Sequence, residues 1–108
     1  MATLALPHLE AAHGRLCVVS SGAGVIGMPR VAPYSATKHA LHGFFNSLRH
    51  ELAERGSNVS LTTAVLGSID TDTARLNTKG AIDHLPKHTS LDTAIAIVKY
   101  VMQRLSRC

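Results

Sequence analysis

The chain has 108 residues, 45% of them apolar and only 4% aromatic, which excludes a disordered chain and indicates one globular domain, or part of one, with an aliphatic core. Its net charge of +4 arises from 11 Lys and Arg scattered without any run of five like charges, so nucleic acid is not an expected partner. Cys17 lies in an apolar run and Cys108 is terminal, a usage that argues against a disulfide framework and permits a reducing compartment.

The opening stretch has no basic residue, and Pro7 interrupts its short apolar run, so neither a signal peptide nor a membrane span is expected there. Residues Ala2 to Ala12 read as the last turns of a helix, with Gly14 as the capping residue after His13. Arg15 to Ser20 is a continuous apolar run, the pattern of a strand buried on both faces of a parallel sheet. Ser21 to Pro33 is rich in Gly and Pro and reads as a loop, flexible over whatever site lies beneath it. Tyr34 to Arg55 is the strongest helix, because Leu41, Phe44, Phe45, Leu48 and Leu52 recur at spacings of three and four before Gly56 stops it. Val59 to Leu66 is β-branched and alternating, with Val59, Leu61, Thr63 and Val65 on one face, and predicts a second strand. Gly67 to Thr89 is polar and predicts a loop carrying a short helix. Ser90 is then placed to cap a final helix whose stripe runs through Leu91, Ala94, Ile95, Val98, Val101, Met102 and Leu105.

Alternation of helix and strand predicts an α/β fold built on a parallel sheet. Two strands leave such a sheet with open edges and leave the apolar helix faces undercovered, so residues 1–108 are expected to form a single partial domain of a larger wound fold. Gly22-Ala23-Gly24-Val25-Ile26-Gly27 spells a dinucleotide-type glycine run directly after a strand. Such a run holds a pyrophosphate by opening a helix, and Pro29 and Pro33 disfavour a helix there. No strand ending in an acidic residue follows at the distance needed for a ribose ligand, so the run is not expected to cradle phosphate.

Tyr34 and Lys38 stand four apart on the long helix, which puts both on one face with Cβ atoms roughly 5–6 Å from one another. A free phenol ionises near pH ~10 and handles protons poorly at neutrality, whereas a fixed cation close by favours the phenolate. One charge at 4 Å is worth up to about 4 kcal/mol at an effective dielectric of about 20. Such a pair is a usable general acid/base, although a lone Tyr-x-x-x-Lys is more often a packed tyrosine above a surface lysine. The seven histidines include His39, His42 and His50 on the same helix, but no acidic or thiol partner has metal-ligand spacing, so they read as solvated side chains and no metal is expected. Phe44 and Phe45 read as core or as the apolar wall of an interface.

A strand ending in Ser20-Ser21, a Gly-rich loop and then Tyr34-Ser35-Ala36-Thr37-Lys38 resemble the short-chain dehydrogenase/reductase family, whose serine lies thirteen residues before the tyrosine, as Ser21 does here. The resemblance continues in Leu66-Gly67-Ser68-Ile69-Asp70-Thr71, which is similar to the family's Pro-Gly-x-x-x-Thr stretch with Leu66 in place of proline. With Gly43-Phe44-Phe45 and Asp72-Thr73-Ala74, the likeness is greatest to the 11β-hydroxysteroid dehydrogenase type 1 branch, and it covers residues 1–105. The resemblance implies a Rossmann-like, doubly wound sheet and an NAD(P)-dependent oxidoreductase that interconverts a hydroxyl and a ketone on a steroid-like small molecule. It assigns Ser21 to hydrogen-bonding the substrate oxygen, Tyr34 to proton transfer, and Lys38 to tuning the phenol while holding the nicotinamide ribose. Tyr34 and Lys38 with Gly67, Ser68, Ile69, Asp70 and Thr71 would contact the cofactor, NADP or NAD, and Ser20 is expected to be structural.

The family's glycine-rich turn after its first strand has no counterpart within these residues, and its active-site asparagine would fall before Met1. The chain therefore resembles the carboxyl half of such an enzyme and is expected to be inactive in isolation, because hydride transfer needs a bound cofactor. The alternative expectation is a non-catalytic truncated isoform that acts by associating with full-length relatives, or as a homodimer, through its apolar helices. Location stays open, although family relatives suggest the endoplasmic reticulum or secretory pathway.

Overall fold

A computed structural model of the chain describes residues 2–72, 76 and 86–103. The fold is α/β: helices α1 (Ala2–Ala11), α2 (Ala32–Glu54) and α3 (Ser90–Gln103) accompany strands β1 (Arg15–Ser21) and β2 (Ser60–Leu66). The strands pair in parallel, with Arg15 opposite Ser60 and Ser21 opposite Leu66, as the sequence order predicts. A short 3-10 turn, Gly22–Gly24, follows β1 directly. The short helix expected between Gly67 and Thr89, and Leu105 at the end of the last stripe, fall largely outside the described residues.

The helix ends follow local chemistry, with a different capping residue at two of them and an earlier start for α2. At the end of α1 the left-handed conformation belongs to His13 (φ 50°), not to Gly14. The His13 N–H donates to the Glu10 carbonyl at 3.3 Å and the Gly14 N–H to that of Leu9 at 2.7 Å, satisfying carbonyls the helix leaves open. Gly14 serves close approach instead, since a Cβ there would lie 2.7 Å from Leu9 Cδ2. Helix α2 closes in the same way with Gly56 in the left-handed role (φ 63°), as expected, through bonds from Gly56 N–H to Ala53 O at 3.0 Å and from Ser57 N–H to Leu52 O at 2.9 Å. Its amino end lies two residues earlier than the spacing suggests, because Pro33 fits the first turn, where its missing N–H costs no bond. The cap of α3 is Thr89 and not Ser90: the Thr89 hydroxyl accepts from the Asp92 N–H at 3.1 Å and donates to its carboxylate at 2.6 Å.

The core is small. Leu48 and Leu52 of α2 are buried with Val59 and Ala23, and no described side chain is completely enclosed. A 23-residue helix spans about 34 Å, whereas a seven-residue strand spans about 23 Å, so this sheet cannot cover the α2 stripe. Phe44 accordingly stays 53% exposed and meets Phe45 edge-on at 5.0 Å. The stripe expected to bury α3 is also open, with Leu91, Ile95, Val98 and Met102 exposed. Helix α3 is tied down at Val101, whose carbonyl accepts from Arg15 Nη1 at 2.8 Å. Among the described residues no helix is long and apolar enough to cross a membrane.

Candidate active site at the carboxyl ends of the strands

The parallel register puts the last residue of β1 beside the last of β2, so Ser21 and the Leu66-Gly67 step share one end of the sheet. That end is where open parallel α/β sheets take their ligands. A Cβ on Gly22 would stand 3.8 Å from the Leu66 carbonyl oxygen, an ordinary contact distance, so the two strand exits lie side by side. Ser21 is extended (φ −135°, ψ 154°), and its hydroxyl accepts from the Ala23 N–H at 3.3 Å, capping the 3-10 turn. The first half of the glycine run is thus a packed turn, with Ala23 and Gly24 buried, and its continuation from Val25 to Gly27 is exposed, which corrects the expectation of a flexible loop throughout.

Two contacts seat this turn on α2. The buried Ser35 hydroxyl donates to the Ala23 carbonyl at 2.7 Å. Gly24 fits into a notch on the helix, where an added Cβ would come within 2.9 Å of Lys38 Cβ and the Lys38 carbonyl oxygen and 3.0 Å of His42 Cδ2. Both contacts fall on the two turns of α2 that carry Tyr34 and Lys38. Those two share a face as their spacing predicts, with Lys38 Nζ 5.6 Å from the centroid of the Tyr34 ring. Tyr34 is 47% exposed.

The segment after β2 is held by a partner that the sequence did not reveal. Ile69 bridges His88 in parallel; the Asp70 N–H donates to the His88 carbonyl at 2.9 Å, and the His88 N–H donates to that of Ser68 at 3.1 Å. The Thr71 N–H donates to the Ile69 carbonyl at 3.0 Å. Gly67 to Thr71 is therefore shaped by a strand-like pairing beside the end of the sheet.

The histidines need one correction. His42 is not a solvated helix-face residue: its Nε2 is hydrogen-bonded to the Ser20 hydroxyl at 2.8 Å, and Ser20 is only 3% exposed. His39 Nδ1 lies 2.9 Å from the Ser35 carbonyl oxygen. Among the described residues no three metal-ligating side chains converge. An open groove of about 380 Å3, lined by Arg49, Leu61, Thr62, Thr63 and Tyr100, runs beside β2 and uses none of the expected site residues.

A half-exposed tyrosine with a lysine on the same helix face thus lies on the helical turns against which the Ser21 turn packs, and a shaped backbone segment follows the neighbouring strand. A family model described as short chain dehydrogenase matches residues 1–82. Similar relatives include the hydroxysteroid 11-beta-dehydrogenase 1-like proteins of Gallus gallus, 48% identical over 97% of this chain, and of Danio rerio, 46% identical over 92%. That of Xenopus tropicalis is 41% identical over 91% of this chain. The chain spans about a third of these relatives' length, 36%, 34% and 34% in the same order. On its family match and these identities, the chain belongs to the short-chain dehydrogenase family, a family of oxidoreductases.

Proposed function

We propose that this chain carries the proton-handling part of a nicotinamide-dependent oxidoreductase that interconverts a hydroxyl and a ketone on a steroid-like substrate. The observation that carries this reading is the seating of the Ser21 turn on α2, at the two helical turns bearing Tyr34 and Lys38. In reduction, the Tyr34 hydroxyl donates its proton to the substrate oxygen as negative charge develops there. Ser21 donates a hydrogen bond to the same oxygen while its own oxygen continues to accept from the Ala23 amide. Lys38 stabilises the phenolate left behind and holds the ribose hydroxyls. Oxidation reverses these roles, with Tyr34 as the base. A nicotinamide dinucleotide, NADP or NAD, supplies or accepts the hydride when bound.

The residues present fit one end of such a dinucleotide. Exposed Tyr34, Lys38 and the backbone from Gly67 to Thr71 suit the nicotinamide riboside. The Gly22–Gly24 turn does not suit the pyrophosphate, because its Ala23 amide is taken by the Ser21 hydroxyl, Gly24 is buried against α2, and no helix opens directly behind it. In this reading, residues 1–108 form the catalytic part of a larger domain, and the pyrophosphate seat belongs to the other part.

The test is a chimera in which this chain replaces the matching third of the Gallus gallus relative, assayed for NADPH-dependent reduction of a ketosteroid. The chimera is expected to turn over, and Tyr34→Phe within it to lower kcat by about 10²–10⁴-fold with little change in KM. Equal turnover by the Tyr34→Phe chimera would sink the reading. A second reading, a non-catalytic isoform acting by association with full-length relatives, draws on the exposed stripe of α3 and on Phe44. It predicts co-purification with a full-length relative that is abolished by Val98→Lys and Phe44→Lys together.

A further inference from the structure

We infer that His42 is a positioning residue for the candidate site, holding the Ser21 segment on the helix that bears Tyr34 and Lys38; the inference rests on the proposed role of those three residues. His42 lies one turn beyond Lys38 on α2, and its ring contacts the chain on both sides of Ser21. On one side Nε2 is hydrogen-bonded to the Ser20 hydroxyl at 2.8 Å. On the other, Cδ2 closes the notch occupied by Gly24, where an added Cβ would come within 3.0 Å of it. Ser20 is 3% exposed, so its hydroxyl has little access to water, and His42 supplies the partner its burial demands.

Pairing Ser20 with α2 also decides which of two adjacent serines is available. Side chains alternate across a strand, so turning Ser20 inward to His42 leaves Ser21 to cap the turn at the end of the sheet. A slip of one residue would exchange them. The Ser20–His42 bond is a long-range pin against that slip, acting where the strand pairing ends at Ser21 and Leu66.

The test uses the full 108-residue chain and backbone amide exchange followed by NMR. The Val25 and Ile26 N–H groups, both bonded to the Gly22 carbonyl at 3.0 Å, report the turn. The Leu52 amide in α2 reports global unfolding. His42→Leu and Ser20→Ala are each expected to accelerate exchange at Val25 and Ile26 at least tenfold relative to Leu52, and the double variant no more than either alone. His42→Gln, which keeps a polar atom near Nε2, is expected to restore slow exchange with Ser20 present and to fail with Ser20→Ala. Uniform acceleration at all three amides, additive effects of the two changes, or rescue by glutamine without Ser20 would each overturn the inference. The functional reading is judged separately: a chimera in which Tyr34→Phe changes nothing refutes that reading even if every exchange result holds.

Discussion

The buried hydroxyl of Ser35 donates a 2.7 Å hydrogen bond to the carbonyl of Ala23, across twelve residues of sequence. Ser35 is 7% exposed and adjoins Tyr34, while Ala23 is 3% exposed and lies two residues past Ser21. One short bond therefore links the neighbour of the candidate acid to the turn capped by the candidate serine. Ser35→Ala strands the Ala23 carbonyl in a buried place and is expected to cost about 1–3 kcal/mol of stability, read from urea unfolding. Ser35→Thr keeps the hydroxyl and should cost less.

Two glycines give a sharper contrast. Gly24→Ala would press a methyl to 2.9 Å from both Lys38 Cβ and the Lys38 carbonyl oxygen, and backbone cannot yield as a flexible side-chain tip can. A loss of about 1–3 kcal/mol is expected, with displaced NMR signals at Lys38 and His42. Gly43→Ala, in the same helix with nothing within 4 Å of the new methyl, should instead stabilise the chain by about 0.5–1 kcal/mol. Equal effects at the two positions would show that the notch is not closed in solution.

The chain in isolation is expected to show no measurable NADPH-dependent ketone reduction. Its melting temperature should be unchanged by millimolar NADPH, because a ligand raises apparent stability only if it binds the folded state. The physical ground is the Gly22–Gly24 turn, where Gly24 is buried against α2 and no helix opens directly behind it to meet a phosphate. Turnover by the purified 108-residue protein would refute this expectation.

Apolar residues at similar helical spacing should behave very differently. Leu52→Ala, at a site 3% exposed, is expected to cost about 2–5 kcal/mol. Val98→Lys, on the open stripe of α3 at 61% exposure, should alter stability by no more than about 0.5 kcal/mol. Chemical denaturation of both variants checks the assignment, and a large loss at Val98 would mean that α3 is covered in solution.

The elements were legible because their causes are local. Three-and-four spacing marked α2, an apolar run marked β1, and Gly56 marked the helix stop; the Tyr34–Lys38 juxtaposition follows from helical geometry alone. The misassignments were also instructive. Gly14 and Ser90 carry residue types common at helix ends, yet His13 takes the left-handed turn and Thr89 makes the cap, because each end depends on which backbone groups remain unpaired. The α3 stripe announced an apolar face but not what would cover it.

From its residues alone, this chain declares its family, its α/β class and the helix face shared by Tyr34 and Lys38, all properties of short-range spacing and motif order. The fold alone decided that Ser21 stands beside Leu66, that Ser20 turns inward to His42, that Gly24 fills a notch at Lys38, and that His88 shapes the segment after β2. Each of these joins residues a dozen or more apart. Their pairing is set by strand register and by the space between packed backbones, and neither leaves a periodic signature in the chain.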